Sequence, residues 1–426
     1  MAVMIWQGNG LAFTGQNSAE KDSLILIDIV FIGNDKTKDV VLRREIKSRI
    51  GQPVDWNQVE EDRKRIQNLR LFTRVQVQPV RTDEGIVLLF YVAERWYIFP
   101  FPILYYNERD VKKLSYGLGV LHENFRGMNQ RVAGSFWLGY NPGTDFYYYN
   151  PWFGGEKQLY SRIKFYHIEK KSKSLAYERF AEKHQGFMLM LGKRWGYHTY
   201  LTGLAAYQNV RLPDEYKGLT VSATGEDHLP SLGLSFLYDT RDLYEYPKDG
   251  WYINLQANKS YYPGTVDFVR FGLDLRRYVP IWKSVSIAGR LAGDYSMGDI
   301  PIYNHLYLGY RERIRGHFNA RREGENRLLM SWELRFPILK IRYFNLGKAS
   351  SFLGGYGSNL PFGISGGLFY DTGAVWMQDR LTANDFLTGF GFGLHIHLPY
   401  IELFRIEYAF NTGGKPELVL DVGVWF

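Results

Sequence analysis

The sequence predicts an all-β transmembrane barrel of about 16 antiparallel strands, preceded by one small α+β module in the order β-α-α-β-β. Three observations carry this reading. Aromatic residues make up 17% of the 426-residue chain (28 Phe, 11 Trp, 32 Tyr), alongside 44 Gly and no Cys. The longest uninterrupted apolar run, Ile86–Ala93, falls far short of the roughly 20 residues that a membrane helix needs. After Tyr97, segments of about ten residues alternate apolar and polar positions, as a wall with one face in lipid requires.

The same composition excludes several classes. Without cysteine there is no disulfide scaffold, no Cys-ligated zinc site and no thiol nucleophile. Lys plus Arg number 52 and Asp plus Glu 44, a net charge of +8, and no basic block reads as a nucleic-acid arm. A soluble β-sandwich would also alternate, but with charges on its outer face.

Residues 1–23 are a lead-in. Gly10-Leu11-Ala12 satisfies a small-x-small cleavage rule, so the stretch reads equally as the remnant of an export signal or as a segment without structure. Residues 24–96 form the module. Leu24–Phe31 is β-rich, and Gly33-Asn34 turns the chain. Val40, Val41, Ile46 and Ile50 fall near helical spacing until Gly51-Gln52-Pro53 ends that helix. Asp55 and Gln58 make a capping box for a second helix, whose apolar stripe is Trp56, Val59, Ile66 and Leu69. Val75, Val77 and Val80 mark a strand, Thr82–Gly85 a turn, and Ile86–Val92 the last strand.

Residues 97–426 form the barrel. Strands are expected near 98–106, 115–124, 130–140, 145–151, 158–168, 185–193, 199–210, 229–239, 250–261, 265–279, 283–295, 326–337, 361–372, 386–398, 401–411 and 416–426. The C-terminal third is clearest. Phe390, Phe392, Leu394, Ile396 and Leu398 oppose Gly389, Gly391, Gly393, His395 and His397. Phe404, Ile406, Tyr408 and Phe410 oppose Arg405, Glu407, Ala409 and Asn411. An even count brings both termini to the module's side.

Several strings carry a family resemblance. Ile29–Asn34 and Arg65–Phe72 resemble the strings of a POTRA domain. Asp239-Thr240-Arg241-Asp242, followed by Pro247 and Gly250-Trp251-Tyr252, resembles a periplasmic turn of the BamA, TamA and two-partner-secretion transporter superfamily. Ile314-Arg315-Gly316-His317 is similar to the tip of that superfamily's large loop, which folds back into the barrel, with His in the aromatic place. Ser331–Pro337 and Phe369–Trp376 are similar to the two strands that follow, and Phe426 matches the C-terminal insertion signal. BamA-type insertases carry several POTRA modules; one fits here. The resemblance implies a bacterial outer-membrane barrel with its POTRA domain in the periplasm and the loop 296–325 folded inward. It also implies unfolded outer-membrane or exported polypeptide as client, lipoprotein or other complex subunits docking on the POTRA domain, and no cofactor or nucleic acid.

The residues support the loop's placement independently. Alternation puts Asp371 on one inward face with Gly363, Ser365, Gly367 and Phe369, and Glu333 on another with Ser331 and Arg335, because Leu328, Met330, Trp332 and Leu334 take the lipid side. A guanidinium between these carboxylates makes charge-assisted hydrogen bonds that would fix the tip at Arg315 and Gly316. The inward Gly389, Gly391 and Gly393 leave room for the loop. At the other end of the barrel domain, Pro100 and Pro102 forfeit two donors on one side of the first strand, so the junction with Leu418–Phe426 is expected to be a weak seam. The alternative is that both prolines precede the strand and only tether it.

Three further signals read as structural. Gly363–Gly367 matches G-x-S-x-G around Ser365, but inside an alternating strand rather than at a strand-to-helix turn. His395 and His397 share a face without a third ligand nearby and read as lumenal hydrogen-bonding groups. Lys170, Lys171 and Lys173 read as a solvated external loop. No enzyme is expected. The functions that remain are insertion of barrel proteins through the seam, a dedicated pore for an exported partner, or an accessory barrel in a larger complex.

Overall fold

The computed structural model describes residues 24–107, 112–177, 180–261, 263–309, 312–317, 320–346, 357–378, 380–400 and 403–423. The lead-in 1–23 and Phe426 lie outside the described residues.

The module comprises β1 (Leu26–Ile32), α1 (Asp39–Arg43), α2 (Trp56–Asn68), β2 (Phe72–Thr82) and β3 (Gly85–Glu94). Its sheet order is β1-β3-β2, with β1 parallel and β2 antiparallel to β3. Ile86, Leu88, Phe90 and Val92 on β3 share one buried core with Val59 and Ile66 of α2. Asp55 caps α2 by accepting the N–H groups of Asn57 and Gln58. The reciprocal half of the expected capping box is absent, because the Gln58 amide donates at 3.0 Å to Asp62. Asp62 is fully buried and also accepts the N–H groups of Lys47 and Ser48, which draws the chain after α1 across α2. That pull corrects the first helix. It is only five residues long, and Val40 and Ile50, expected on its apolar face, are exposed, as is Trp56 on α2. The core also takes Tyr97, expected to belong to the barrel, whose hydroxyl donates to the Leu71 carbonyl at 3.1 Å.

Beyond the module, sixteen strands form one antiparallel sheet in which sequence neighbours pair. In order they are Ile98–Tyr106, Leu114–Phe125, Gln130–Gly139, Gly143–Phe153, Leu159–Lys171, Ala181–Trp195, Thr199–Arg211, Glu226–Asp239, Gly250–Ser260, Phe268–Trp282, Val285–Gly298, Asn326–Phe344, Leu360–Trp376, Leu387–His397, Phe404–Asn411 and Pro416–Val422. The inward loop begins at 299 rather than 296, because Ser296–Gly298 still pair with Phe268–Arg270. Within it Leu306–Leu308 and Arg322–Gly324 form a short hairpin. Lys170 and Lys171 are likewise not in a loop: they pair with Glu182 and Ala181 in the ladder, and Lys170 Nζ lies 3.4 Å from Glu182.

The alternation holds around the wall. Leu118, Phe136, Phe165, Phe187, Trp332, Phe392 and Leu420 point outward and are exposed, while Ser331, Glu333, Arg335 and Arg405 point inward and are buried. An outer face this apolar suits hydrocarbon, and the continuous backbone ladder from the first strand to the sixteenth satisfies the polar groups that lipid cannot.

The module is bolted across one mouth of the barrel. Glu45 accepts both Nη groups of Arg194, on the sixth strand, at 2.8 and 2.7 Å. Asn68, at the end of α2, donates to the Asp242 carbonyl at 3.1 Å and accepts the Tyr244 N–H at 3.0 Å. Thr37 Oγ1 accepts from Asn124 at 2.9 Å, and Arg74 donates to Asn359 at 3.0 Å.

Candidate functional site: a lumenal arginine clamp and an open seam

The tip of the inward loop is a tight turn. The Ile314 carbonyl accepts the His317 N–H at 2.9 Å, and Gly316 sits at φ +89°, the third position of a type II turn that favours glycine. A Cβ on Gly316 would stand 2.7 Å from the Phe410 carbonyl, so the wall also demands its bareness. Ile314 is buried among Leu329, Val375 and Leu387. The turn thereby aims Arg315 at the wall.

Arg315 is fully buried. Its Nε and Nη2 donate to the two oxygens of Asp371 at 2.6 and 2.8 Å, a bidentate pair. Its Nη1 donates to Glu333 at 3.0 Å and to Glu407 at 2.9 Å. The guanidinium carbon lies 3.6 Å from the Phe369 ring centre. Burial alone would lower the pKa of this guanidinium; Asp371, Glu407 and Glu333 reverse that and hold it well above its ordinary value. The carbonyl of Arg315 occupies the space where a Cβ of Gly389 would stand. Gly391 and Gly393 do different work: they make way for Phe369 and for the Glu407 side chain.

The clamp extends beyond the residues that the sequence singled out. Arg335 Nε donates to Glu333 at 2.7 Å. Arg405 donates to Glu407 at 3.3 Å and to Asp421 at 3.1 Å, and Arg313 joins Asp421 at 3.0 Å. Four arginines thus meet four carboxylates from the twelfth, thirteenth, fifteenth and sixteenth strands, and the network is formally neutral. Glu407, Arg405 and Asp421 all carry the period-two signal of inward residues, but no motif marks them among the other lumenal charges. His395 Nδ1 and the Tyr246 hydroxyl share a hydrogen bond at 2.9 Å. One ligand atom each from Glu333, His395 and Glu407 lies within 4.8 Å of the others, but Arg315 already bridges the two carboxylates. Ser365 lies within its strand, its Oγ 3.0 Å from His397 Nε2.

The turn after the eighth strand is built by its motif residues. Arg241 forks onto Asp239 at 2.9 and 2.7 Å, and Asp242 accepts the N–H groups of Lys248 and Asp249. Gly250, at φ +113°, lets the Thr240 carbonyl pass where a side chain would stand. The turn reaches up into the lumen, where the Pro247 carbonyl accepts from Arg335 at 3.3 Å.

Pro100 and Pro102 lie inside the first strand. The Tyr97 carbonyl accepts the Glu123 N–H at 2.8 Å, and the Asn107 N–H donates to the Lys113 carbonyl at 2.9 Å. Odd-numbered residues therefore face the second strand, and even-numbered ones, both prolines included, face the other way. By the same logic Gly423 donating to Leu403 turns Pro416, Leu418, Leu420 and Val422 of the sixteenth strand away from the fifteenth. Among the described residues no pairing joins the first strand to the sixteenth, so the sheet has two edges. The Trp96 indole N–H caps the edge carbonyl of Ile98.

Comparison with known proteins agrees with this architecture. Residues 124–419 match the Omp85 superfamily domain, and residues 25–95 match the POTRA family described as a surface antigen variable number repeat. The fold is similar to BamA from Haemophilus ducreyi lacking POTRA domains 1–3, with a TM-score of 0.57 at 16% identity, over 94% of this chain and 84% of that one. It is also similar to CdiB from Escherichia coli, with a TM-score of 0.60 at 14% identity, over 94% and 75% of the two chains. CdiB from Acinetobacter baumannii gives a TM-score of 0.53 at 14% identity, over 94% and 73%. The family match covers most of the barrel and the POTRA match the whole sheet of the module: the chain belongs to the Omp85 superfamily of outer-membrane barrels.

Proposed function

We propose that this chain assembles β-barrel polypeptides into the bacterial outer membrane at the seam between its first and last strands, with its POTRA domain in the periplasm. The observation that supports this reading is the junction without pairing among the described residues, with Pro100 and Pro102 on its open side. An incoming strand can add to such an edge through backbone hydrogen bonds, and the process turns over no covalent bond. On the POTRA domain, Gln78–Thr82 of the outer strand β2 is exposed and offers a second edge, for unfolded polypeptide or for lipoprotein and other complex subunits. A dedicated translocation pore is the second reading. It is favoured by the inward loop, whose tip is pinned to the lumenal wall at Arg315 as that of a plug would be.

Photo-crosslinking separates the two. A benzoylphenylalanine at Leu104 on the seam or at Gln78 on β2 is expected to capture a urea-unfolded outer-membrane barrel protein supplied to the reconstituted chain. The same probe at Phe187, in the middle of the outer wall, is expected to stay silent. Capture of an exported polypeptide from the lumenal position Asp274, with Leu104 silent, would establish translocation instead.

A further inference from the structure

A cavity of about 370 Å³ lies between the POTRA domain and the lumenal wall, and its lining is strongly basic. Eight Arg and Lys side chains face it against three carboxylates. Arg44 and Arg65 come from the POTRA domain, Arg131, Arg162 and Arg194 from the third, fifth and sixth strands, and Arg241 from the turn after the eighth. The carboxylates are already engaged. Glu45 takes both Nη groups of Arg194, Glu61 pairs with Lys64 at 3.0 Å, and Asp242 accepts two backbone N–H groups of its own turn.

The consequence is a set of buried donors without acceptors. Nε and Nη1 of Arg44, and Nε of Arg131 and Arg162, are buried with no hydrogen-bond partner. The Arg44 side chain is only 6% exposed, and the carboxylate oxygen it approaches, Oε1 of Glu45, is 3.9 Å away and already accepts from Arg194. Burial, reinforced by Arg194, pushes the Arg44 pKa down despite Glu45, the sign of a cation held short of anions. Buried donors left open cost stability, so their clustering in one cavity calls for an acceptor from outside the chain.

We infer that this cavity is a binding site for a phosphate-bearing small molecule or headgroup, held between the POTRA domain and the barrel by Arg44, Arg131 and Arg162. A carboxylate presents two coplanar oxygens and matches a single guanidinium fork. Phosphate spreads its oxygens tetrahedrally and serves guanidinium edges arriving from the C-cap of a helix and two separate strands. The volume exceeds what one phosphate fills, so a pyrophosphate or a phosphorylated organic group is the better fit. Because the ligand touches both domains, it ties the POTRA domain to the mouth, and its loss leaves like charges facing one another there. This site is independent of the seam.

Calorimetry with sodium pyrophosphate and with inorganic phosphate, on the full chain in a non-ionic detergent at constant ionic strength, tests the inference. Saturable binding of one pyrophosphate per chain is expected, weakened roughly tenfold by Arg44→Gln and again by Arg162→Gln. Lys170→Gln with Lys173→Gln, at and just beyond the opposite end of the strand that carries Arg162, should change nothing. If Arg44→Gln does not fold, Arg162→Gln alone decides. Competition by glycerol 3-phosphate identifies a free phosphate ester as the source, and competition by lysophosphatidic acid alone identifies a lipid headgroup. The absence of saturable pyrophosphate binding overturns the inference, as does a hexa-aspartate peptide that displaces pyrophosphate with higher affinity.

Discussion

Replacing Arg315 by alanine is expected to release the lumenal loop while the sixteen-stranded wall still folds. The wall's ladder does not depend on Arg315, which lies in the loop between the eleventh and twelfth strands. The cost falls on the carboxylates left behind. Glu333 keeps Arg335, and Glu407 keeps Arg405, so Asp371 is the group that loses its bidentate partner in a buried site. Breaking a buried pair from one side costs roughly 3–5 kcal/mol. The variant should therefore unfold at lower denaturant, become cleavable within 299–325, and conduct more current in planar bilayers. Asp371→Asn in the Arg315→Ala background should recover part of the stability but none of the loop's protection, because it removes the stranded charge without restoring the anchor. Equal protease resistance in wild type and Arg315→Ala would end the clamp account.

A single methyl group at Gly389 should do the same without touching a charge. In Gly389→Ala the new Cβ would clash severely with the Arg315 carbonyl oxygen, a backbone atom that cannot rotate aside. Overpacking of this kind costs roughly 1–3 kcal/mol, and here the simplest relief is withdrawal of the loop tip. Gly203→Ala is the matched control: its Cβ would find nothing closer than the Leu191 carbonyl at 3.8 Å, and the loop should stay protected. Proteolysis of the two variants side by side reads the difference, and an undisturbed loop in Gly389→Ala would show that the tip is held elsewhere.

How much of this was legible in the sequence follows from what each feature depends on. Period-two alternation is a local property, so the wall, its lipid face and the inward direction of Glu333, Asp371 and Glu407 could all be read from single strands. Which of these charges meet is a matter of register between strands, and one sequence does not state it. Glu407 reaches Arg315 because the fifteenth strand pairs Ala409 with Gly391 and Glu407 with Gly393. The same limit hid the inward reach of Pro247 to Arg335. In the POTRA domain, helical spacing at Val40 and Ile50 misled because buried Asp62 pulls the intervening chain away from helix. The docking of that domain was invisible for a related reason: Glu45 and Asn68 look like ordinary surface residues until the barrel supplies Arg194 and Asp242.

The central claim is that the open edges of the first and last strands accept a client, and a reversible lock across the seam tests it most directly. The chain has no native cysteine, so Leu104→Cys can be combined with Leu418→Cys, Leu420→Cys or Val422→Cys and the pair that oxidises retained. The locked chain, reconstituted into liposomes, is then offered an unfolded outer-membrane barrel protein, and folding of the client is followed by protease protection. The account predicts that the oxidised chain remains folded but fails to assemble the client, and that reductant restores assembly. Full assembly by the oxidised chain would contradict it.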